Sequence, residues 1–227
     1  MSTTPFHPLL NPFLFLCLSL NILFSSCQVQ SAKPPVQLTK GEKFDGELQQ
    51  FIANGKSLTD DKQYASAMLE FEKAVLLDPS YADTYEARGY ARVAMKDMQG
   101  ARDDFNKLVE LRPYKATSYN TRAMFRMEIG LYKGAYTDMT KALEIQPNQI
   151  EYYTTRAYVS FVQKNYDLAM VDIETAITRN PENAAAYYYR ARIELAMGQE
   201  GKACEDYRKA KRMNAAVNDD ELKVACK

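Results

Sequence analysis

The prolines of the chain recur at a fixed interval. Every proline beyond residue 35 lies 34 residues from the next one: Pro79, Pro113, Pro147 and Pro181. A strict period of this length indicates a structural repeat, in which each unit stacks on its neighbours. Because proline cannot continue a helix, each of these prolines marks the end of one. The sequence therefore predicts a repeat array.

Placing the proline at position 32 defines five 34-residue units: 48–81, 82–115, 116–149, 150–183 and 184–217. The fifth unit has Ala215 in place of the proline. Apolar residues within a unit follow helical spacing. In the third unit, Tyr119 and Ile129 lie on a first helix, Gly130 stops it, and a second helix follows. Each unit is therefore predicted to be a helix-turn-helix.

Two positions are small in every unit. Position 20 is always alanine, and position 8 is glycine or alanine: Gly55, Gly89, Ala123, Ala157 and Ala191. Small residues on facing helices let the helix axes approach closely. Large residues recur at position 4, which is always aromatic, and at position 24. The pattern predicts paired antiparallel helices with interlocking small and large side chains.

This pattern resembles the tetratricopeptide repeat family, whose signature combines an aromatic residue, a small residue, Ala-x3-Phe and proline. Tyrosine stands here where that family usually has tryptophan, and arginine stands at position 7 where it has leucine. The resemblance covers residues 48–217 and implies an all-α solenoid of five repeats. Asn218 resembles a helix N-cap, so residues 218–227 are predicted to form a C-terminal capping helix.

Arginine recurs at position 7 of units 2–5 and aspartate at position 23 of the same units. The members are Arg88, Arg122, Arg156 and Arg190, with Asp104, Asp138, Asp172 and Asp206. Because the acid recurs in step with the base, Arg–Asp pairs between packed helices at partly exposed sites are predicted. The alternative is a cationic stripe for an acidic ligand.

The reactive side chains argue against an enzyme. The only histidine is His7, and the chain has no Cys-x-x-Cys and no glycine-rich phosphate loop. No catalytic residue, metal site or cofactor is therefore predicted, and a hydrolase is a distant alternative. Lys plus Arg equals Asp plus Glu at 29 each, which argues against nucleic-acid binding.

The N-terminus carries an apolar run over residues 9–24, and its core from Phe13 to Phe24 is too short to span a membrane comfortably. The sequence from Phe24 to Cys27 resembles a bacterial lipobox. It implies a signal peptide over 1–26, lipid attachment at Cys27 and a flexible tether over 27–47. The segment before the run has no Lys or Arg, which is unusual for a signal. A plain secretory signal and a retained anchor remain alternatives. Gln28, where aspartate would signal inner-membrane retention, favours the outer membrane of the bacterial envelope by resemblance.

Two cysteines remain in the mature part. Cys204 lies near the start of the last second helix and Cys226 near the end of the cap. If these helices are antiparallel, the two ends meet, and an oxidising compartment would allow a disulfide. The alternative is two unrelated buried residues.

By resemblance, the first helices line a concave groove with positions 2, 5, 9 and 12. The residues assigned to it are Asp83, Glu86, Tyr90, Thr117, Asn120, Met124, Glu151, Thr154, Tyr158, Tyr188 and Arg192. The groove suits an extended peptide or a partner helix. A basic clamp for a partner's carboxylate is not expected, because only Lys56 could serve in it. We expect a non-enzymatic, lipid-tethered protein–protein interaction scaffold for envelope assembly or secretion. The alternative is an accessory chaperone for unfolded envelope proteins.

Overall fold

The computed structural model describes residues 40–227, and side chains from residue 44 onward. These residues form eleven α-helices and no strand. The predictions for the signal peptide, for Cys27 and for the tether up to residue 39 lie outside the described residues. The helices are α1 Lys40–Asp60, α2 Tyr64–Leu77, α3 Ala82–Ala94, α4 Met98–Leu111, α5 Ala116–Glu128, α6 Tyr132–Ile145, α7 Ile150–Val162, α8 Tyr166–Arg179, α9 Ala184–Ala196, α10 Glu200–Arg212 and α11 Asp219–Ala225.

The helices follow the period of the sequence. The first helices α3, α5, α7 and α9 begin at the first residue of units 2–5, and each second helix before a proline ends two residues ahead of it. Each first helix packs on the second helix of its unit, and each second helix packs on the next first helix. The predicted all-α solenoid of five helix-turn-helix repeats is confirmed. No helix within residues 40–227 is both long and apolar enough to cross a bilayer.

The first helix starts earlier than the unit. Helix α1 begins at Lys40, so residues 40–47 are helical and do not belong to the predicted tether. Residues 44–47 are exposed, and Leu48 is the first buried residue. These residues lack the apolar periodicity that indicates a packed helix. They extend a helix already nucleated by the packed turns after Leu48, which costs little once the first turn exists.

The turn between the two helices of every unit is the same. Position 15 has a positive φ in all five units: Lys62, Lys96, Gly130, Lys164 and Gly198. The backbone N–H of position 16 donates to the carbonyl of position 11, for example Leu131 to Arg126 at 2.7 Å. This left-handed residue ends the first helix and satisfies its last carbonyls. One turn geometry therefore sets the angle of all five helix pairs.

The small and large positions interlock as predicted. The alanines of position 20 are 0% exposed in all five units. Position 8 faces the side chain of position 24: a Cβ on Gly89 would lie 2.8 Å from the ring of Phe105, and one on Gly55 would lie 2.7 Å from Phe71. Such a distance excludes even a methyl group unless the ring moves. Glycine at position 8 therefore accompanies phenylalanine at position 24.

The predicted cap continues the repeat. Helix α11 packs on α10 and occupies the place of a sixth first helix, with Ala225 at position 8, where it is buried. Its N-cap is Asn218, whose side chain accepts a hydrogen bond from the N–H of Asp220, as predicted. The predicted disulfide between Cys204 and Cys226 is present and closes a separation of 22 residues. The cap is thus a truncated repeat, covalently fastened to the last complete one.

Candidate functional site

The first helices of units 2, 3 and 4 together form one open cavity. Its volume is about 520 Å³, and we call it the aromatic cavity. Position 9 of these three units contributes Tyr90, Met124 and Tyr158, which are 34 residues apart along the chain. The residues that line it are Tyr90, Val93, Phe105, Met124, Phe125, Met127, Glu128, Tyr132 and Tyr158. The repeat period therefore converts one sequence position into a continuous surface.

The aromatic side chains of the cavity are held by contacts with one another. The buried ring of Phe105 lies 5.4 Å from the ring of Tyr90 in an edge-on arrangement and 5.0 Å from the ring of Phe125. The ring of Tyr158 packs on Tyr189 at 5.6 Å. Such pairs add to the stability gained from burial and fix the orientation of the rings. A ligand would meet a surface whose shape is largely preformed.

The cavity exposes apolar surface that a ligand could cover. Tyr90 is 53% exposed and Met124 is 50% exposed, although both belong to well-packed helices. Aromatic residues and methionine are enriched at the centres of protein interfaces. Methionine also adapts its shape to different partners. The side chains therefore suit the binding of an apolar side chain by contact rather than a chemical reaction.

Carboxylates surround this apolar surface. Glu128 lines the cavity, and Glu86 lies one helical turn before Tyr90 on the same face of α3. Glu151 lies two turns before Tyr158 on α7 and is exposed. Among the ion pairs found within residues 44–227, none involves these three glutamates. The cavity consequently has an acidic border without cationic partners from those residues.

Some predicted groove residues are engaged within the protein. Thr154 is only 8% exposed and its hydroxyl donates to the carbonyl of Ile150 at 3.4 Å, so its assignment to the groove surface is wrong. Position 5 packs against the neighbouring first helix, as the hydrogen bond from Thr121 to Glu86 at 3.0 Å also shows. Asp83 accepts two hydrogen bonds from Arg112, which lower the pKa of its carboxyl.

Two others lie at the end of the array under the cap. The hydroxyl of Tyr188 lies 3.1 Å from Glu221 of α11, and the guanidinium of Arg192 lies 3.7 Å from the same carboxylate. Burial, and then the charge of Glu221, raise the pKa of Tyr188. Both side chains are half-buried, so they do not extend the open surface of units 2–4. Thr117, which is exposed, and the half-buried Asn120 lie outside the lining of the aromatic cavity.

Six lining residues were not assigned from the sequence. Val93 and Met127 occupy position 12, which is among the expected groove positions, although no residue of that position was assigned to the groove. Glu128 follows at position 13. Phe105 is a fully buried core residue at position 24, and its place behind the cavity depends on how α3, α4 and α5 pack, which the periodicity does not encode.

The predicted Arg–Asp pairs support the helices around the cavity. Each arginine of position 7 binds the aspartate of position 23 in its own unit; Arg88 and Asp104 are 2.7 Å apart. The paired aspartates are buried, Asp104 to 2% exposure, and not partly exposed as predicted. A buried pair costs far more to break than a surface pair, because one charge is left without a partner. The alternative of a cationic stripe is excluded by these contacts.

A second arginine joins the pair in units 2 and 3. Arg92 and Arg126, at position 11, donate to Asp104 and Asp138 at 2.8 and 2.7 Å. Each also donates to the backbone carbonyl of a glycine at position 19, Gly100 or Gly134. A Cβ on Gly134 would lie 3.1 Å from the Arg126 side chain. These two networks stiffen the units that carry most of the cavity.

The described residues show no arrangement typical of a metal centre. Within residues 44–227, no three His, Cys, Asp or Glu side chains are placed to hold a metal ion.

Sequence comparison identifies the repeats. A family model described as a tetratricopeptide repeat matches residues 82–115 and 116–149, and a second model of the same description matches residues 173–205. A comparison with curated protein sequences gave no significant match.

Solved structures with the same fold include three proteins of low sequence identity. The pilF protein of Pseudomonas aeruginosa has a TM-score of 0.66 and 18% identity, over 80% of this chain and 82% of that one. PilW, described as a widely conserved type IV pilus biogenesis factor, has a TM-score of 0.64 and 18% identity, over 81% and 83%. YrrB, described as having an unusual peptide-binding site, has a TM-score of 0.62 and 19% identity, over 81% and 96%. The helix pairs, the 34-residue period and the matching family models together show that residues 82–149 and 173–205 are tetratricopeptide repeats.

Proposed function

We propose that the protein is a non-enzymatic binding scaffold that holds an extended peptide or a partner helix in the groove of its first helices. The observation that carries this proposal is the aromatic cavity. Position 9 of three consecutive units places Tyr90, Met124 and Tyr158 on one exposed apolar surface. Exposed apolar surface bordered by polar groups is typical of interaction sites. Binding of peptides by this kind of groove also agrees with the description of YrrB.

The proposal is tested by site-specific photocrosslinking in cells. A benzophenone amino acid in place of Met124 should capture one or two partners at defined stoichiometry, which mass spectrometry identifies. The matched control places the same group at Tyr114, which is 89% exposed and outside the cavity. Equal capture at both positions, or no capture at Met124, would overturn the proposal. Weak capture of many unrelated proteins at Met124 alone would support the accessory chaperone instead.

We also propose that the scaffold acts at the bacterial cell envelope, anchored in the outer membrane through lipid on Cys27. The support is the resemblance of the segment ending at Cys27 to a lipobox. The description of PilW as a pilus biogenesis factor makes pilus assembly one process in which to look for partners. Labelling cells with an alkyne fatty acid should tag the wild-type protein and leave Cys27→Ser untagged. Equal labelling of both proteins would contradict the anchor.

A further inference from the structure

We propose that the partner segment bound by the aromatic cavity is basic and apolar: a large apolar side chain flanked by lysine or arginine. This inference rests on the proposed function, since it names the ligand of the same groove. The basis for it is that certain glutamates and tyrosines beside the cavity have no lysine or arginine partner within the described residues.

The tyrosines of the protein fall into two groups. The aromatic residue of position 4 lies under a lysine or arginine in every unit, for example Tyr85 under Arg88 at 5.4 Å. The cation–π contacts found within residues 44–227 include none to Tyr90, Tyr132 or Tyr158. No cation of residues 44–227 therefore lies over these three rings, so a cation of a ligand would not compete with one from the protein. A tyrosine face attracts lysine and arginine electrostatically.

The carboxylates fall into the same two groups. Asp104 and Asp138 each bind two arginines. The glutamates that border the cavity, Glu86, Glu128 and Glu151, form no ion pair with residues 44–227. Two nearby cations, Arg92 and Arg126, form ion pairs with the buried Asp104 and Asp138. The charged groups beside the cavity that have no ion-pair partner within the described residues are therefore these three glutamates, although the chain as a whole has no net charge. A charged ligand that complements these carboxylates is basic.

The cavity also requires an apolar anchor. Its volume of about 520 Å³ is in the range of ligand pockets, and its lining is mostly apolar. Covering the exposed parts of Tyr90 and Met124 would supply most of the affinity, whereas the charges at the border mainly select the ligand. A purely basic peptide would leave this surface exposed.

The length of the segment is limited by the ends of the row. Position 9 carries the cation Lys56 in unit 1, and in unit 5 it carries Arg192, which lies under the cap beside Glu221, so neither end of the row offers an open acidic surface. A basic segment is consequently confined to units 2–4. Three neighbouring first helices span about 20 Å, which about six residues of extended peptide cover. The ligand is thus a short element with one anchor and cations on both sides of it.

The test uses three fluorescent eight-residue peptides and fluorescence anisotropy. The first has a central phenylalanine flanked by lysines, the second has glutamate in place of every lysine, and the third has alanine in place of the phenylalanine. We expect the first to bind at least about ten-fold more tightly than either of the others, with an affinity that falls as salt rises. Equal or tighter binding of the acidic peptide would overturn the inference.

Protein variants separate charge selection from apolar contact. The combined variant Glu86→Gln, Glu128→Gln, Glu151→Gln should bind the lysine–phenylalanine peptide about ten-fold more weakly, with a flatter salt dependence. The control Glu72→Gln, Glu182→Gln, Glu200→Gln removes the same charge from exposed residues outside the cavity lining and should bind like the wild type. Equal weakening by both variants would overturn the inference.

The two proposals fail differently. If none of the three peptides binds but crosslinking at Met124 still captures a defined partner, the basic and apolar ligand is wrong and the groove remains the binding site. If crosslinking at Met124 also captures nothing, the groove itself is not the binding site, and both proposals are overturned.

Discussion

At the scale of single residues, the size of position 8 depends on the side chain of position 24. Units 1 and 2 combine glycine with phenylalanine, as in Gly89 and Phe105, while unit 3 combines Ala123 with Met139. These four residues are all buried between the two helices of their unit. Because the interior is close-packed, a methyl group gained on one helix must be lost on the other. In units 1–3 a larger residue at position 8 thus accompanies a smaller one at position 24, whereas unit 5 combines Ala191 with Tyr207.

Gly89→Ala should therefore destabilise the protein by about 1–3 kcal/mol through overpacking. Combining it with Phe105→Met, the residue of unit 3, should recover part of this loss, with a coupling of about 1 kcal/mol or more in a double-mutant cycle. Urea unfolding measures the free energies. Gly201→Ala is the control, because a Cβ there meets no atom within 4 Å, and it should cause no loss. Strict additivity of the two substitutions would show that the residues do not interact.

Glu194 is a buried carboxyl whose nearest cation, Arg190, lies 4.0 Å away. It lies at position 11, where units 2 and 3 have arginine, and its Oε2 has no hydrogen bond within the described residues. Burial, and then the nearby charge of Asp206, raise its pKa to about 7. Arg190 and Lys202 act in the opposite direction, and Glu174 adds to the rise. Unit 5 therefore contains one acid that folding forces toward the neutral form.

This acid should make stability depend on pH. Between about pH 4.5 and 7 the folded protein binds a proton that the unfolded chain releases, so the free energy of unfolding falls as the pH rises. Glu194→Gln should remove this dependence and stabilise the protein at pH 8 by on the order of 2 kcal/mol. Thermal unfolding from pH 5 to pH 8 measures it, with the exposed Glu200→Gln as control. A Glu194→Gln variant with an unchanged pH profile would contradict the assignment.

The Arg–Asp pairs could be predicted from the sequence, whereas the second arginine that joins the pair in units 2 and 3 was missed. Arginine at position 7 and aspartate at position 23 recur in phase, which indicated the pairs. Arg92 and Arg126 recur in only two units and gave no such signal. Glycine at position 19 accompanies them in the same two units, Gly100 and Gly134. The two residue types occur together because each arginine donates to the carbonyl of the glycine and leaves little room for a Cβ there. The sequence alone did not show the reason for this joint occurrence.

At the scale of elements, the left-handed residue of position 15 controls every helix pair. Glycine adopts this conformation at no cost, whereas lysine adopts it in units 1, 2 and 4 against a steric penalty. The turn is stabilised by the hydrogen bond from position 16 to position 11, which is 2.7–2.9 Å long in all five units. The tertiary contacts of the two helices therefore outweigh the local preference of the lysines.

Substitutions at position 15 should depend on which residue is replaced. Gly130→Ala should destabilise unit 3 by about 1 kcal/mol, because the added Cβ is strained at a φ of 74°. Lys96→Gly removes a comparable strain and should be neutral or mildly stabilising. Chemical unfolding of the two variants, with wild type alongside, gives the comparison. Equal destabilisation by both would mean that the backbone conformation is not what matters at this turn.

The N-terminal extension of α1 was the least predictable element. Residues 44–47 are exposed, so no apolar pattern marks this part of the helix. Helix α11 spans only Asp219–Ala225, too short for a periodicity, yet Ala225 keeps the small residue of position 8. Reading the 34-residue phase past Ala215 would have revealed a sixth first helix and placed Tyr188 and Arg192 beneath it.

At the scale of the whole molecule, the disulfide fastens the last element of a one-dimensional array. Replacing both Cys204 and Cys226 with serine should lower stability by about 3 kcal/mol. Because each repeat contacts mainly its neighbours, the loss of hydrogen-exchange protection should be confined to α10 and α11. Reduced wild-type protein is the matched control and should behave like the double variant. An equal loss of protection in units 2 and 3 would contradict this local effect.

At the scale of the whole molecule, the charged residues that stabilise the repeats differ from those that border the proposed binding groove. The aspartates of position 23 and the arginines of position 7 are paired inside units 2–5, and the fold needed only the repeat period to be predicted. The groove could be predicted only in part: position 9 identified Tyr90, Met124 and Tyr158, whereas the cavity between them depends on the tilt of neighbouring units. That tilt arises from packing of side chains that differ from unit to unit, so no single position in the period reports it.

The most direct test of the binding groove is the affinity of the partner captured at Met124, measured by calorimetry on purified proteins. The double variant Tyr90→Ala, Tyr158→Ala should bind at least about ten-fold more weakly than the wild type, because central aromatic residues dominate interface energies. Tyr114→Ala, which removes an equally large but peripheral ring, should bind like the wild type. An unchanged affinity in the double variant, with a loss in Tyr114→Ala, would show that the partner binds elsewhere.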